Sequence, residues 1–234
     1  MDLYRLELMK LKKSVWAWTI AGVCTGLFVL GILFLFIFQA EGIVEERQFS
    51  DWSGLLALTT AVAFACFCIL AAAIAAKMII GEYCDKNAVV LLSYPVERKA
   101  VLRTKCLLLC GITTVAASIS NMVVIGLMYV TAYLFGIMPQ MDTGHFAPAV
   151  LSSGILMGIS ASAVGVISAV IGWKKRSVTA TIVCSLLIVC TITNLIAASP
   201  KYIVYIMLVM SACLAAVSGF LYRMLEKGIE KMEV

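Results

Sequence analysis

Residues 81–105 read GEYCDKNAVVLLSYPVERKAVLRTK and lie between two long apolar stretches of the chain. The segment is rich in charged and polar side chains, and it contains Pro95, one of the 4 prolines of the sequence. The apolar stretches on both sides are long enough to cross a membrane, so the chain leaves the hydrocarbon between them. This alternation of apolar stretches and short polar breaks decides the fold class.

The composition predicts an all-α integral membrane protein. Hydrophobic residues make up 63% of the chain and charged residues 13%, and the mean hydropathy is +1.05. These values exclude an ordinary soluble globular domain. Because a helix needs about 20 apolar residues to cross a bilayer, six segments qualify as spans of one transmembrane domain over residues 1–234. They are Val15–Phe38, Trp52–Ile80, Cys106–Phe135, Pro148–Gly172, Ser177–Ala198 and Tyr202–Tyr222.

The distribution of basic residues predicts the orientation. If the N-terminus is inside, only Arg47 and Lys201 of the 18 lysines and arginines fall in outer loops. Because basic residues are retained in short cytoplasmic loops, we expect both termini in the cytoplasm and the protein in the plasma membrane. Residues 1–14 favour a helix at the inner membrane surface. The positive charge is then explained by anionic headgroups and not by nucleic acid.

Side chains for catalysis or metal binding are scarce in this sequence. The single histidine, His145, rules out a zinc motif built on paired histidines, and no GxxxxGK[ST] phosphate loop is present. We therefore expect no enzyme, no metal site and no cofactor in this chain. None of the 9 cysteines falls in a predicted outer loop. Since buried cysteine behaves as a small hydrophobic residue, no disulfide is expected.

Pairs of small residues indicate close helix packing. Gly22-x3-Gly26 and Gly154-x3-Gly158 have the spacing that lets helix backbones approach, and Ala161-x3-Gly165 continues the second series. In a bundle of six helices, this spacing favours internal packing over a contact between two chains.

Two asparagines are the notable polar residues within the spans. No Asp, Glu, Arg or His lies near the middle of a predicted span, which disfavours an ion-coupled carrier. Asn121 in span three and Asn194 in span five have two interpretations. The favoured one is a hydrogen bond between helices, and the alternative is the lining of a substrate pathway.

The segment between spans two and three suits contact with a partner protein. Pro95 disfavours helix at Tyr94 and favours a helix start at its own position, which predicts a short interfacial helix followed by a corner. Leu91 and Leu92 offer apolar side chains to a groove, while charged residues flank them. The alternative is a solvated basic loop held only by lipid headgroups.

The same segment resembles the cytoplasmic coupling segment of ABC-2 type transporter permeases. The residues that carry the resemblance occur in the family's order, and Asn87-Ala88 replaces the usual Gly-Thr turn. The opening Glu7–Ser14, ELMKLKKS, is similar to the start of small permeases that confer lantibiotic immunity or bacitracin resistance. The residues of the coupling pattern are Glu82, Tyr83, Leu91, Leu92, Pro95, Arg98 and Lys105.

The resemblance implies a membrane subunit of an ATP-driven exporter. Two permease chains, identical or related, would form the pathway, and cytoplasmic ABC ATPases that bind ATP and Mg²⁺ would press on the coupling helix in 81–105. An apolar pathway fits an amphipathic or hydrophobic substrate such as an antimicrobial peptide. The alternative function is a non-transporting membrane assembly or sensory partner. The substrate, the transport direction, the pairing of the chains and a small re-entrant helix before the last span stay open.

The predicted orientation is checked by cysteine-accessibility labelling. In a Cys-depleted background, single cysteines at Glu45 and Thr143 should react with a membrane-impermeant reagent from outside. Cysteines at Lys86, Lys175 and Lys231 should react only after the membrane is opened, because their loops lie in the cytoplasm. Labelling of the Lys86 or Lys175 position from outside would overturn this topology.

Overall fold

A computed structural model describes residues 13–40, 52–80, 98–135, 143–198 and 202–230. These residues form six helices that are long and apolar enough to span a membrane, and no strand occurs among them. This confirms the predicted all-α class and the six spans. The helices are α1 (Lys13–Ala40), α2 (Trp52–Ala75, followed by a π-helical turn, Ala76–Ile80), α3 (Arg98–Phe135), α4 (Thr143–Lys175), α5 (Val178–Ala198) and α6 (Ile203–Glu230).

The helices extend further than the predicted spans at several ends. α3 begins at Arg98 and not at Cys106, so the last part of the basic segment is already helical. α4 begins at Thr143 and passes through Pro148, which was predicted to start the span. A proline removes one backbone hydrogen bond, but it does not end a helix near its first turns. The predicted interfacial helix lies mostly outside the described residues, and its last residues, 13 and 14, belong to α1.

Helix α4 is the centre of the bundle. It packs against α2, α3, α5 and α6, and 78% of its most apolar window is buried, compared with 17% for α1 and for α6. Because lipid tails are as apolar as leucine side chains, close packing and not the hydrophobic effect holds such helices together. A central helix must therefore present small residues to several neighbours.

Glycines of α4 provide that close approach. A Cβ atom on Gly158 would lie 2.6 Å from the carbonyl oxygen of Thr114 in α3, and one on Gly165 would lie 2.9 Å from Cβ of Ala71 in α2. The Thr114 hydroxyl donates a hydrogen bond to the Gly158 carbonyl oxygen at 3.4 Å. The prediction of internal packing is confirmed for these residues. It is wrong for Gly22 and Gly26, whose Cβ positions meet no described atom within 4 Å.

We expect Gly158→Ala to destabilise the bundle, because its Cβ would overlap the backbone of α3. Overpacking costs about 1–3 kcal/mol, so the melting temperature in detergent should fall. Gly126→Ala in α3 is the matched control, since nothing lies within 4 Å of that Cβ and alanine favours a helix by about 1 kcal/mol. Equal melting temperatures for the two variants would contradict the close contact between α3 and α4.

Candidate functional site

The candidate site lies at one end of the bundle, which we call the basic end. Here α2 ends, α3 begins, α4 turns into α5, and α6 finishes. The end of α2 and the beginning of α3 flank residues 81–97 of the predicted coupling segment. Exposed basic side chains surround them, namely Lys77, Arg103, Lys174, Lys175, Arg176 and Arg223.

The last turn of α2 is a π helix. Four of its five side chains are buried, and only Lys77 is exposed. π-helical turns are rare and occur frequently at functional sites. A side-chain donor from a neighbouring helix can bond to a carbonyl group in the last turn of a helix.

Lys105 supplies such a donor from α3. Its side chain is fully buried, and its ammonium group donates a hydrogen bond to the carbonyl oxygen of Met78 at 3.1 Å. A cation near the carboxyl end of a helix also interacts favourably with the helix dipole. The contact joins the end of α2 to the beginning of α3, which are the two helix ends on either side of residues 81–97.

The turn between α4 and α5 packs against the same π-helical turn. A Cβ atom on Gly172 would overlap the Thr181 hydroxyl of α5 and would lie 2.5 Å from the Cδ1 atom of Ile80. Only glycine fits between these two side chains. Helix α4 then closes with Arg176 in the left-handed region, at a φ of 48°, and the Ser177 amide donates to the Gly172 carbonyl oxygen at 3.1 Å.

An ion pair links α3 to α6 at the basic end. The Nη2 atom of Arg103 lies 3.0 Å from the Oε1 atom of Glu226. Because Arg103 is 65% exposed, such a pair contributes only about 0.2–1 kcal/mol to stability. Its effect is to hold the carboxyl end of α6 beside the first turns of α3. The sequence prediction missed this pair, because 123 positions along the chain separate its two residues.

The predicted coupling residues are only partly described. Arg98 is the first residue of α3, and Lys105 is fully buried and bonded to the Met78 carbonyl oxygen. The remaining residues lie outside the described part of the chain, namely Glu82, Tyr83, Leu91, Leu92 and Pro95.

The two asparagines differ in their surroundings. Asn121 is buried, with 1% of its surface exposed, and its Nδ2 atom has no hydrogen-bond partner among the described residues. Asn194 is exposed, and its Nδ2 atom donates to the Cys190 carbonyl oxygen of its own helix at 2.6 Å. An unsatisfied donor in the centre of a bundle is costly, so Asn121 is the unusual residue of the two.

An apolar groove lies near Asn121. It is a shallow depression formed by α1, α2 and α3 that is open on one side. Val124, which lies one helical turn from Asn121, belongs to its lining. The other lining residues are apolar except for one threonine: Leu27, Leu30, Gly31, Phe34, Leu58, Thr59 and Val62.

The cysteines of the described helices are free thiols. All eight cysteines of the described residues are free. The Cys24 thiol donates a hydrogen bond to the Ser120 hydroxyl at 2.9 Å. Cys84 lies outside the described residues. Within the described ranges, no group of three or more metal-binding side chains occurs.

Comparison with known proteins identifies the family. Residues 3–194 match the profile of the ABC-2 family transporter proteins. The chain belongs to the ABC-2 transporter family. This ABC-2 protein is 26% identical over 246 residues to the uncharacterized protein YcbO of Bacillus subtilis (strain 168), with both chains covered completely. No solved structure matches the chain.

Family membership fixes the general role. ABC-2 permeases are the membrane components of transporters and are not themselves ATPases. Family membership and the six apolar helices together support a multi-pass membrane protein with a permease role.

We expect Asn121→Leu to raise the melting temperature of the protein in detergent. Leucine has a similar volume and removes a buried donor that costs about 1–3 kcal/mol when unsatisfied. Asn194→Leu is the matched control, because exposed substitutions usually change stability by about 0.5 kcal/mol or less. A melting temperature that falls for Asn121→Leu alone would mean that its amide is bonded in the native protein.

Proposed function

We propose that this ABC-2 protein is the membrane-spanning permease subunit of an ATP-driven exporter. It works with a second permease chain and with cytoplasmic ABC ATPases, which bind ATP and Mg²⁺ in their own sites. The observation that carries this proposal is the Lys105–Met78 contact at 3.1 Å. It connects the last turn before residue 81 to the helix that begins at Arg98, and residues 81–97 between them are where we propose that an ATPase presses on the permease.

The packing of the basic end supports transmission from that segment to most of the bundle. A displacement of residues 81–97 reaches α2 and α3 through the backbone. Gly172 lies against Ile80 and Thr181, so α4 and α5 follow the π-helical turn. The Arg103–Glu226 pair extends the connection to α6. A solvated loop without function would not need its flanking helix ends joined to the bundle in this way.

The apolar interior favours an amphipathic or hydrophobic substrate. The buried polar groups of the helix centres are mainly hydroxyls that bond to carbonyl oxygens of their own helices, as Ser160 and Ser168 do. Asn121 is buried in the described arrangement, so it would meet a substrate only when the helices around it separate during transport. Asn121→Leu should then be stable but deficient in transport. Asn194, on the exposed side of α5, would line a pathway only between two permease chains.

An antimicrobial peptide is the substrate that we favour. Such peptides combine apolar and polar faces, which suits an apolar pathway with few polar groups. The similarity of the opening residues 7–14 to the permeases of lantibiotic immunity and bacitracin resistance supports this choice. The protein would then lie in the plasma membrane, with both termini in the cytoplasm and the basic end facing the ATPases.

The coupling role is tested by charge reversal and by removal of the leucine pair. Arg98→Glu and the double variant Leu91→Ala/Leu92→Ala should weaken co-purification of the ATPase and lower its turnover with the permease. Breaking a desolvated charge pair costs about 2–5 kcal/mol of association. Lys174→Glu is the matched control, because it reverses an exposed charge at the same end but outside the segment.

Three results separate the alternatives. If both variants bind and stimulate the ATPase as the wild type does, the segment is not the coupling element. If Lys174→Glu weakens binding equally, the interaction depends on general charge and not on this segment. A wild-type chain that captures no ATPase would favour an assembly or sensory role over transport.

A further inference from the structure

We infer that Lys105 is a positioning residue, a latch that makes the two ends of the coupling segment move as one body. The inference rests on the proposed function, because it assigns the way in which force enters the bundle. Lys105 is the last residue of the coupling pattern that the resemblance to ABC-2 permeases implies. Its place inside the bundle gives it a different task.

The burial of Lys105 is not explained by membrane topology. A lysine that only anchors a helix end extends its ammonium group to water, as the exposed side chain of Lys77 can do from the same turn of α2. Lys105 is fully buried instead, and burying a cation is costly unless polar groups surround it. Its hydrogen bond to Met78 at 3.1 Å is therefore a built contact and not a chance arrangement of a surface side chain.

The acceptor lies in the π-helical turn that follows α2, Ala76–Ile80. The π-helical turn has wider hydrogen-bond spacing than an α helix, and such turns are frequently associated with function. Its other side is fixed, because Ile80 packs against Gly172 at the end of α4. Lys105 thus connects α3 to a turn that α4 already holds.

This arrangement predicts how the segment acts. With the latch closed, a displacement of residues 81–97 moves the end of α2 and the start of α3 together, and the central helix follows. Without the latch, the end of α2 and the start of α3 move separately. Binding of the ATPase does not need the latch, because Lys105 is not on the surface.

The first experiment uses the permease alone in lipid nanodiscs. Amide hydrogen exchange of residues 76–82 should become about tenfold faster in Lys105→Met, because an opened turn loses its protection. Lys77→Met removes a cation from the same turn and should exchange as the wild type does. Lys105→Arg keeps the charge and the donors and should restore most of the protection. Unchanged exchange in Lys105→Met would overturn the latch.

The second experiment uses the complex with the ATPase that co-purifies with the wild-type chain. Lys105→Met should keep its co-purification, but stimulation of ATP turnover by the permease should fall about tenfold, within the usual range of coupling between sites. In the wild type, ATP should change the exchange of residues 76–82 and 98–105 together. A response of only one of these peptides would overturn the inference even if Lys105→Met failed to accumulate.

The two experiments also distinguish a failure of the inference from a failure of the proposed function. If no ATPase co-purifies with the wild-type chain, the proposed function fails, while the nanodisc experiment still decides whether Lys105 protects the π-helical turn. If the ATPase binds and Lys105→Met stimulates it as fully as the wild type does, the latch fails and the permease assignment stands.

Discussion

The arrangement of this bundle depends on the close approach of α4 to its neighbours. Three of its glycines, Gly158, Gly165 and Gly172, recur every seven residues and therefore lie along nearly one side of the helix, drifting by about 20° per repeat. The first meets α3, the second meets α2, and the third fits between Ile80 of the π-helical turn and Thr181 of α5. One stripe of missing side chains thus brings four helices together where the hydrophobic effect gives little help.

The low burial of α1 and α6 is the counterpart of the central position of α4. α1 and α6 have only 17% of their most apolar windows buried, and each presents large apolar residues to its surroundings, such as Leu33 and Phe220. In a membrane this exposure is compatible with stability, because lipid accepts apolar side chains. Gly22 and Gly26 of α1 face no described neighbour. Small-residue spacing therefore allows close packing but does not determine which helix, if any, packs there.

Two buried polar residues differ in how far hydrogen bonds offset the cost of removing them from water. The ammonium group of Lys105 donates a hydrogen bond to the Met78 carbonyl oxygen in the last turn before residue 81. The Nδ2 atom of Asn121 reaches no partner among the described residues, so its amide is a local weakness of this arrangement. Residues that lower stability in one arrangement of a protein are often retained for function.

The sequence alone determined the membrane class, the six spans and the polar segment between spans two and three. Each of these features depends on local composition and on the length of apolar stretches, which a single chain displays directly. It also identified Lys105 and Asn121 as noteworthy residues and the glycine pairs as packing signals. Helix ends were less certain, as at Pro148, because a proline near the first turns does not decide where a helix begins.

Only the tertiary structure decided which way these residues face. The inward position of Lys105, the separate surroundings of Asn121 and Asn194, and the different partners of the glycines depend on which helix faces are in contact. The Arg103–Glu226 pair joins residues 123 positions apart, and no local pattern specifies such a contact. In a chain that is apolar on nearly every helix face, periodicity does not separate an internal face from a lipid-facing one. That distinction arises from packing between helices, and it is what buries Lys105 against the end of α2.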